Sequence, residues 1–64
     1  MNLKNNLKEY RLTKNLSQED LAESVLVSRQ TIISIEKSVY KPSVELALKL
    51  AKVLKVKVED IFQI

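Results

Sequence analysis

Glycine is absent from this 64-residue chain. That absence excludes the glycine-rich phosphate loops, both the Walker type and the dinucleotide type. It also obliges every helix to end on a residue that carries a β-carbon. Cysteine is missing too, which removes disulfides and thiolate metal sites. With no histidine, the chain lacks the commonest metal ligand and the commonest general base. No metal, cofactor or enzymatic step is therefore expected. The adjacent acids Glu59 and Asp60 read as helix-start charges rather than catalytic carboxylates. Long apolar runs are lacking as well. The N-terminal MNLKNNLKEY is broken by charge, unlike a signal peptide, and nothing later approaches a membrane span. A soluble, cytoplasmic chain with no membrane partner is the expectation.

A chain of this size reads as one domain, 1–64. It buries a modest share of its unfolded surface and is marginally stable unless it dimerises. The formal net charge is +3, from 11 Lys and Arg against 8 Asp and Glu. So mild an excess suits nucleic acid, an acidic partner or neither, and charge placement has to decide.

What is present is concentrated between Leu16 and Glu36, LSQEDLAESVLVSRQTIISIE. Ser17 and Ser28 each read as a helix N-cap. Each has an apolar pair placed to close over it: Leu16 with Leu21, and Val27 with Ile32. Asp20, three residues after Ser17, can return a hydrogen bond in a capping box. The spacing predicts helices over Gln18 to about Val25 and Arg29 to about Lys37, with only Leu26 and Val27 left for the turn. Two helices joined so tightly form a helix-turn-helix pattern.

The remainder reads as support. A first helix is predicted over Asn5 to Lys14, with Leu7, Tyr10 and Arg11 inward and Lys4, Lys8 and Lys14 on other faces. An inward arginine calls for a partner. Ser38 to Ser43 is a loop ahead of a fourth helix, in which Val44, Ala47, Leu48, Leu50, Ala51 and Leu54 form the apolar face and Lys49 and Lys52 the wet side. A short fifth helix is expected over Val58 to Phe62. Ile61, Phe62 and Ile64 are too apolar for a loose tail. They seal the core, form a subunit contact, or pair as a strand with Asn2 to Lys4.

The runs LSQEDLA, VSRQTI and YKPSVELALKLAK, in this order, resemble the phage-repressor and Cro-type (XRE-type) helix-turn-helix family from Leu7 to Phe62. The resemblance implies an all-α, five-helix bundle and a sequence-specific transcriptional regulator. It also implies a homodimeric repressor bound to a pseudo-palindromic double-stranded DNA operator in the nucleoid. No small-molecule ligand is evident, and ending at Ile64 matches the short stand-alone members. The second helix of the motif would enter the major groove, with Arg29, Gln30, Ile33 and Ser34 facing bases. Ser17, Gln18, Ser28, Thr31, Lys37, Tyr40 and Lys41 would meet the sugar–phosphate backbone. The side-chain chemistry suits these roles. Arginine forks onto guanine, glutamine pairs with adenine, and isoleucine packs on a thymine methyl. The amide end of the helix that starts at Gln18, with Ser17 and Gln18, is a natural phosphate seat.

The family also implies an ion pair between Arg11 and Glu36. Dimer contacts would fall on Val58, Ile61, Phe62 and Ile64. Leu26, Ser38 and Lys55 stand where the family commonly has glycine or asparagine, and Lys57 is a poor cap for the last helix. The alternative function is an antitoxin-like or bridging module that uses the same fold to bind a protein partner through its apolar C-terminus.

Overall fold

The computed structural model describes residues 3–64, and the elements run β1 (Lys4–Asn5), α1 (Leu7–Thr13), α2 (Gln18–Ser24), α3 (Arg29–Glu36), α4 (Val44–Leu54), α5 (Val58–Ile61) and β2 (Phe62–Gln63). The starts of the helices follow from local chemistry. Ser17 Oγ accepts from Asp20 N–H at 2.9 Å, and Asp20 Oδ2 accepts from Ser17 N–H at 3.1 Å, which completes the capping box. Ser28 and Ser43 accept from the amides of Thr31 and Leu46. α5 has half of this device: Asp60 accepts from Lys57 N–H at 3.0 Å, but lysine has no acceptor to return.

The Ser17 hydrogen bonds hold the Asp20 carboxyl below its ordinary pKa. A depressed folded pKa means that this cap's contribution is complete above the usual aspartate range. It is lost as pH falls through the lowered value.

The ends of the helices show how a glycine-free chain stops them. Asn15, Leu26, Ser38 and Lys55 all take left-handed backbone, with φ of 58°, 61°, 61° and 59°. At each, the next amide reaches back five residues to a carbonyl: Leu16 to Arg11, Val27 to Ala22, Val39 to Ser34 and Val56 to Ala51. The left-handed residue's own amide bonds the carbonyl three residues before it. This is the Schellman closure, built four times without glycine. Leu16, Val27 and Val56 then pack partly buried on the core, as the motif favours.

Leu26 is 85% exposed, so its side chain gains little packing in return for the left-handed backbone. Leu26→Gly is expected to stabilise the fold by about 1 kcal/mol. Urea denaturation would read this as a higher midpoint at unchanged slope. An unchanged or lower midpoint would mean that the leucine side chain offsets its backbone strain.

The core collects Leu7, Leu21, Ala22 and Val25 with Ile32, Ile35, Leu46, Leu50, Ala51, Leu54 and Ile61. Three expectations need correction. The first helix starts at Leu7 rather than Asn5. Asn5 instead pairs with Phe62, and Lys4 with Gln63, in an antiparallel ribbon that joins the two ends of the chain. The terminal pairing is thus real at Lys4, while Asn2 lies outside the described residues. On α4, Val44 and Leu48 are 78% and 57% exposed, and Leu46 is in the core in their place. Ile61 is fully buried within the chain, so it cannot serve as a dimer contact. No described helix is long and apolar enough to cross a membrane.

Candidate nucleic-acid interface

α2 and α3 pack directly on each other, and the phase of α3 is set by Ile32 and Ile35, both fully or almost fully buried. A helix that buries these two residues turns Arg29, Gln30, Ile33 and Ser34 the other way. Arg29 and Gln30 are exposed, while Ile33 and Ser34 are half-buried. Gln30 Nε2 lies 3.4 Å from Ser34 Oγ, a long contact between neighbours on one row. Among the described residues Arg29 makes no ion pair, so its guanidinium is free at the start of α3.

The outer face of α3 stands between two clefts. One is lined by Ser28, Gln30, Thr31, Ser34 and Tyr40. Its polar groups are neutral: Ser28 Oγ and Thr31 Oγ1 share a hydrogen bond at 3.0 Å beside the Tyr40 phenol. The other is lined by Lys8, Arg11, Gln18, Ile33, Glu36 and Lys37. At its base, Arg11 Nε donates to Glu36 Oε2 at 2.7 Å, the two side chains being only 8% and 7% exposed. Arg11 Nη1 also donates to the Leu16 carbonyl at 2.8 Å, so α1 is tied to α3 and to the residue before Ser17. Glu36 Oε1 accepts from Gln18 Nε2 at 3.1 Å. That bond orients the Gln18 amide and ties the start of α2 to the end of α3. No buried side-chain polar atom among the described residues lacks a partner.

The sequence-derived residues divide accordingly. Ser28, Thr31 and Tyr40 meet in the neutral cleft, and Gln18 and Lys37 in the charged one. Ser17 is exposed but already engaged in its capping box. Lys41 is exposed beyond Tyr40, where it lines a separate recess with Asn5, Ile35, Ser38 and Phe62. Val58 and Phe62 are half-buried, and Ile64 is exposed. Two features were missed from the sequence. Lys8 borders the charged cleft, for which its position three residues before Arg11 was the available signal. The bond from Gln18 to Glu36 had no local signal at all.

A pair of tightly linked helices, the second offering a polar face between two clefts, defines a helix-turn-helix DNA-binding protein. The helix-turn-helix family profile matches residues 7–61, and the chain belongs to that family, of the Cro/C1 (XRE) type. It is 62% identical, over 94% of its length and 91% of the relative's, to an uncharacterized HTH-type transcriptional regulator of Methanocaldococcus jannaschii. Among solved structures it resembles the restriction-modification controller protein C.AhdI of Aeromonas hydrophila, with TM-score 0.78, 33% identity, and 84% and 82% of the two chains covered. It also resembles SinR of Bacillus subtilis, the master regulator for biofilm formation, in complex with DNA. There the TM-score is 0.76 and the identity 35%, with 83% and 86% of the chains covered. The chain is thus a transcriptional regulator with a helix-turn-helix DNA-binding fold, in a family that is not enzymatic.

Proposed function

We propose that residues 1–64 act as one DNA-binding domain, a homodimeric repressor that occupies a pseudo-palindromic operator and occludes a promoter. The observation that carries this reading is the outer face of α3. It presents one free guanidinium, one amide and one apolar side chain in a row between two donor-lined clefts. An α-helix fits the major groove, and a backbone strand then lies along each of its flanks. Arg29 and Gln30 read bases by paired hydrogen bonds, Ile33 packs on a thymine methyl, and Ser34 adds a short donor. Ser17, Gln18, Ser28, Thr31, Lys37, Tyr40 and Lys41 hold the sugar–phosphate backbone and set the register. Val58, Phe62 and Ile64 retain surface for a second copy, which sets two α3 helices about 34 Å apart. Occlusion of a promoter requires nothing beyond this face.

The alternative, an antitoxin-like or bridging module, rested on an apolar C-terminal patch. With Ile61 in the core and Phe62 in β2, that patch shrinks, and the DNA reading is the better supported. Selection of bound duplexes from a random pool tests it. A two-fold symmetric site is expected, with a mobility shift that weakens steeply as salt rises. A pool that yields no consensus would sink sequence-specific recognition, and an asymmetric single site would sink the dimer.

A further inference from the structure

The charged cleft beside α3 contains a residue from outside the helix-turn-helix. Lys8, on α1, borders it together with Gln18, Ile33 and Lys37, above the Arg11–Glu36 pair. Arg11 and Glu36 neutralise each other at 2.7 Å, so Lys8 and Lys37 leave the cleft with two uncompensated positive charges. Gln18 adds an aimed donor. One of its amide hydrogens is held by Glu36, which leaves the second for a ligand in the cleft and turns the amide oxygen away from Glu36. Two ammonium groups and an amide N–H around a concave floor are the chemistry of a phosphodiester seat.

The cleft on the opposite flank of α3 has no charged residue; its donors are the hydroxyls of Ser28, Thr31 and Tyr40 and the Gln30 amide. Ile33 lines the charged cleft and Gln30 and Ser34 the neutral one, so the same four-residue face borders both. A duplex seated on that face therefore presents one backbone strand to each.

We propose that Lys8 is a DNA-backbone contact, and that α1, α2 and α3 jointly build one phosphate seat. The two clefts flanking α3 then hold backbone by different chemistry, cationic at Lys8 and hydroxyl-lined at Tyr40, while Lys41 stands in a separate recess beyond Tyr40. The proposal rests on the DNA-binding reading above.

The two kinds of contact leave different marks in a salt titration, because only a cation releases a condensed counterion on meeting a phosphate. Duplex binding is measured by fluorescence anisotropy from low to moderate salt, on the selected operator and on unrelated DNA. Lys8→Ala should weaken both duplexes and reduce the slope of log affinity against log salt by about 0.9 for each bound subunit. Lys8→Arg should keep the wild-type slope, and Tyr40→Phe should lower affinity at unchanged slope. Lys52→Ala, an exposed lysine on α4 that lines neither cleft, is the control for general charge. A Lys8→Ala slope equal to wild type, or to that of the Lys52→Ala control, overturns the inference while leaving the α3 reading intact. A wild-type chain with no salt-dependent duplex binding overturns both. A thermal melt of each variant keeps a folding defect from being read as a lost contact.

Discussion

Glu36→Ala is expected to destabilise the fold by about 3 kcal/mol, the largest effect of any single change considered. The side chain it removes is 7% exposed and is the carboxylate partner of Arg11, itself 8% exposed. Losing it leaves a desolvated guanidinium with only the Leu16 carbonyl, and it frees the Gln18 amide at the same time. A chain of this size is expected to have a total stability of roughly 3–10 kcal/mol, so the variant would sit near the edge of unfolding. DNA binding should fall with it, through loss of the folded population rather than of a contact. The double variant Arg11→Met, Glu36→Leu separates these effects. Apolar replacement of both members of a buried pair is often neutral or stabilising, so the double should recover most of the loss and regain binding. Urea denaturation of the two variants decides. A cost below about 1 kcal/mol for Glu36→Ala would place the pair among exposed ion pairs and remove its structural role.

Arg29→Ala is expected to cost 1–3 kcal/mol of operator affinity, on the order of ten- to a hundredfold, and to relax base preference at one position in each half-site. The guanidinium is exposed at the first position of α3 and has no ion-pair partner among the described residues, so its removal should leave stability nearly untouched. Lys41→Ala makes the contrast. A phosphate contact carries no sequence information, so that variant should weaken operator and unrelated duplex alike. Competition binding with single-base operator variants reads the difference. If Arg29→Ala left both affinity and preference unchanged, Arg29 would not face a base and the orientation of α3 in the groove would need to be redrawn.

Much of this molecule can be read from short stretches of chain because capping and helix closure are local. Ser17, Ser28 and Ser43 announce helix starts within three residues of themselves, and all three serve as N-caps. Leu26, Ser38 and Lys55, standing where relatives of this kind commonly carry glycine or asparagine, all turn out left-handed. Asn15 does the same and was not anticipated. Asparagine tolerates that region but gives no sign of when it must adopt it.

Periodicity was sufficient for α3, where apolar Ile32 and Ile35 leave one choice of inward face. It failed on α4, VELALKLAKVL, where apolar residues occur almost all the way round. There the choice between Leu46 and the pair Val44 and Leu48 depends on where the rest of the core lies. The terminal ribbon is a similar case. Asn5 and Asn6 read as the first turn of helix one, yet Asn5 donates to the Ile35 carbonyl at 3.0 Å and Asn6 to the Asp60 carbonyl at 3.2 Å, pinning the N-terminus to distant elements.

The sequence by itself therefore determined the starts and serine caps of α2, α3 and α4, the helix-turn-helix and the face of α3 turned outward, all of which depend on residues within a turn or two of one another. Only the tertiary structure decided that Ile61 is core and not interface. The same holds for the Gln18 bond to Glu36 and for the place of Lys8 beside the same cleft. Those facts depend on how separate helices are phased and brought together. That assembly is settled by burial of the shared apolar core, which no local pattern encodes.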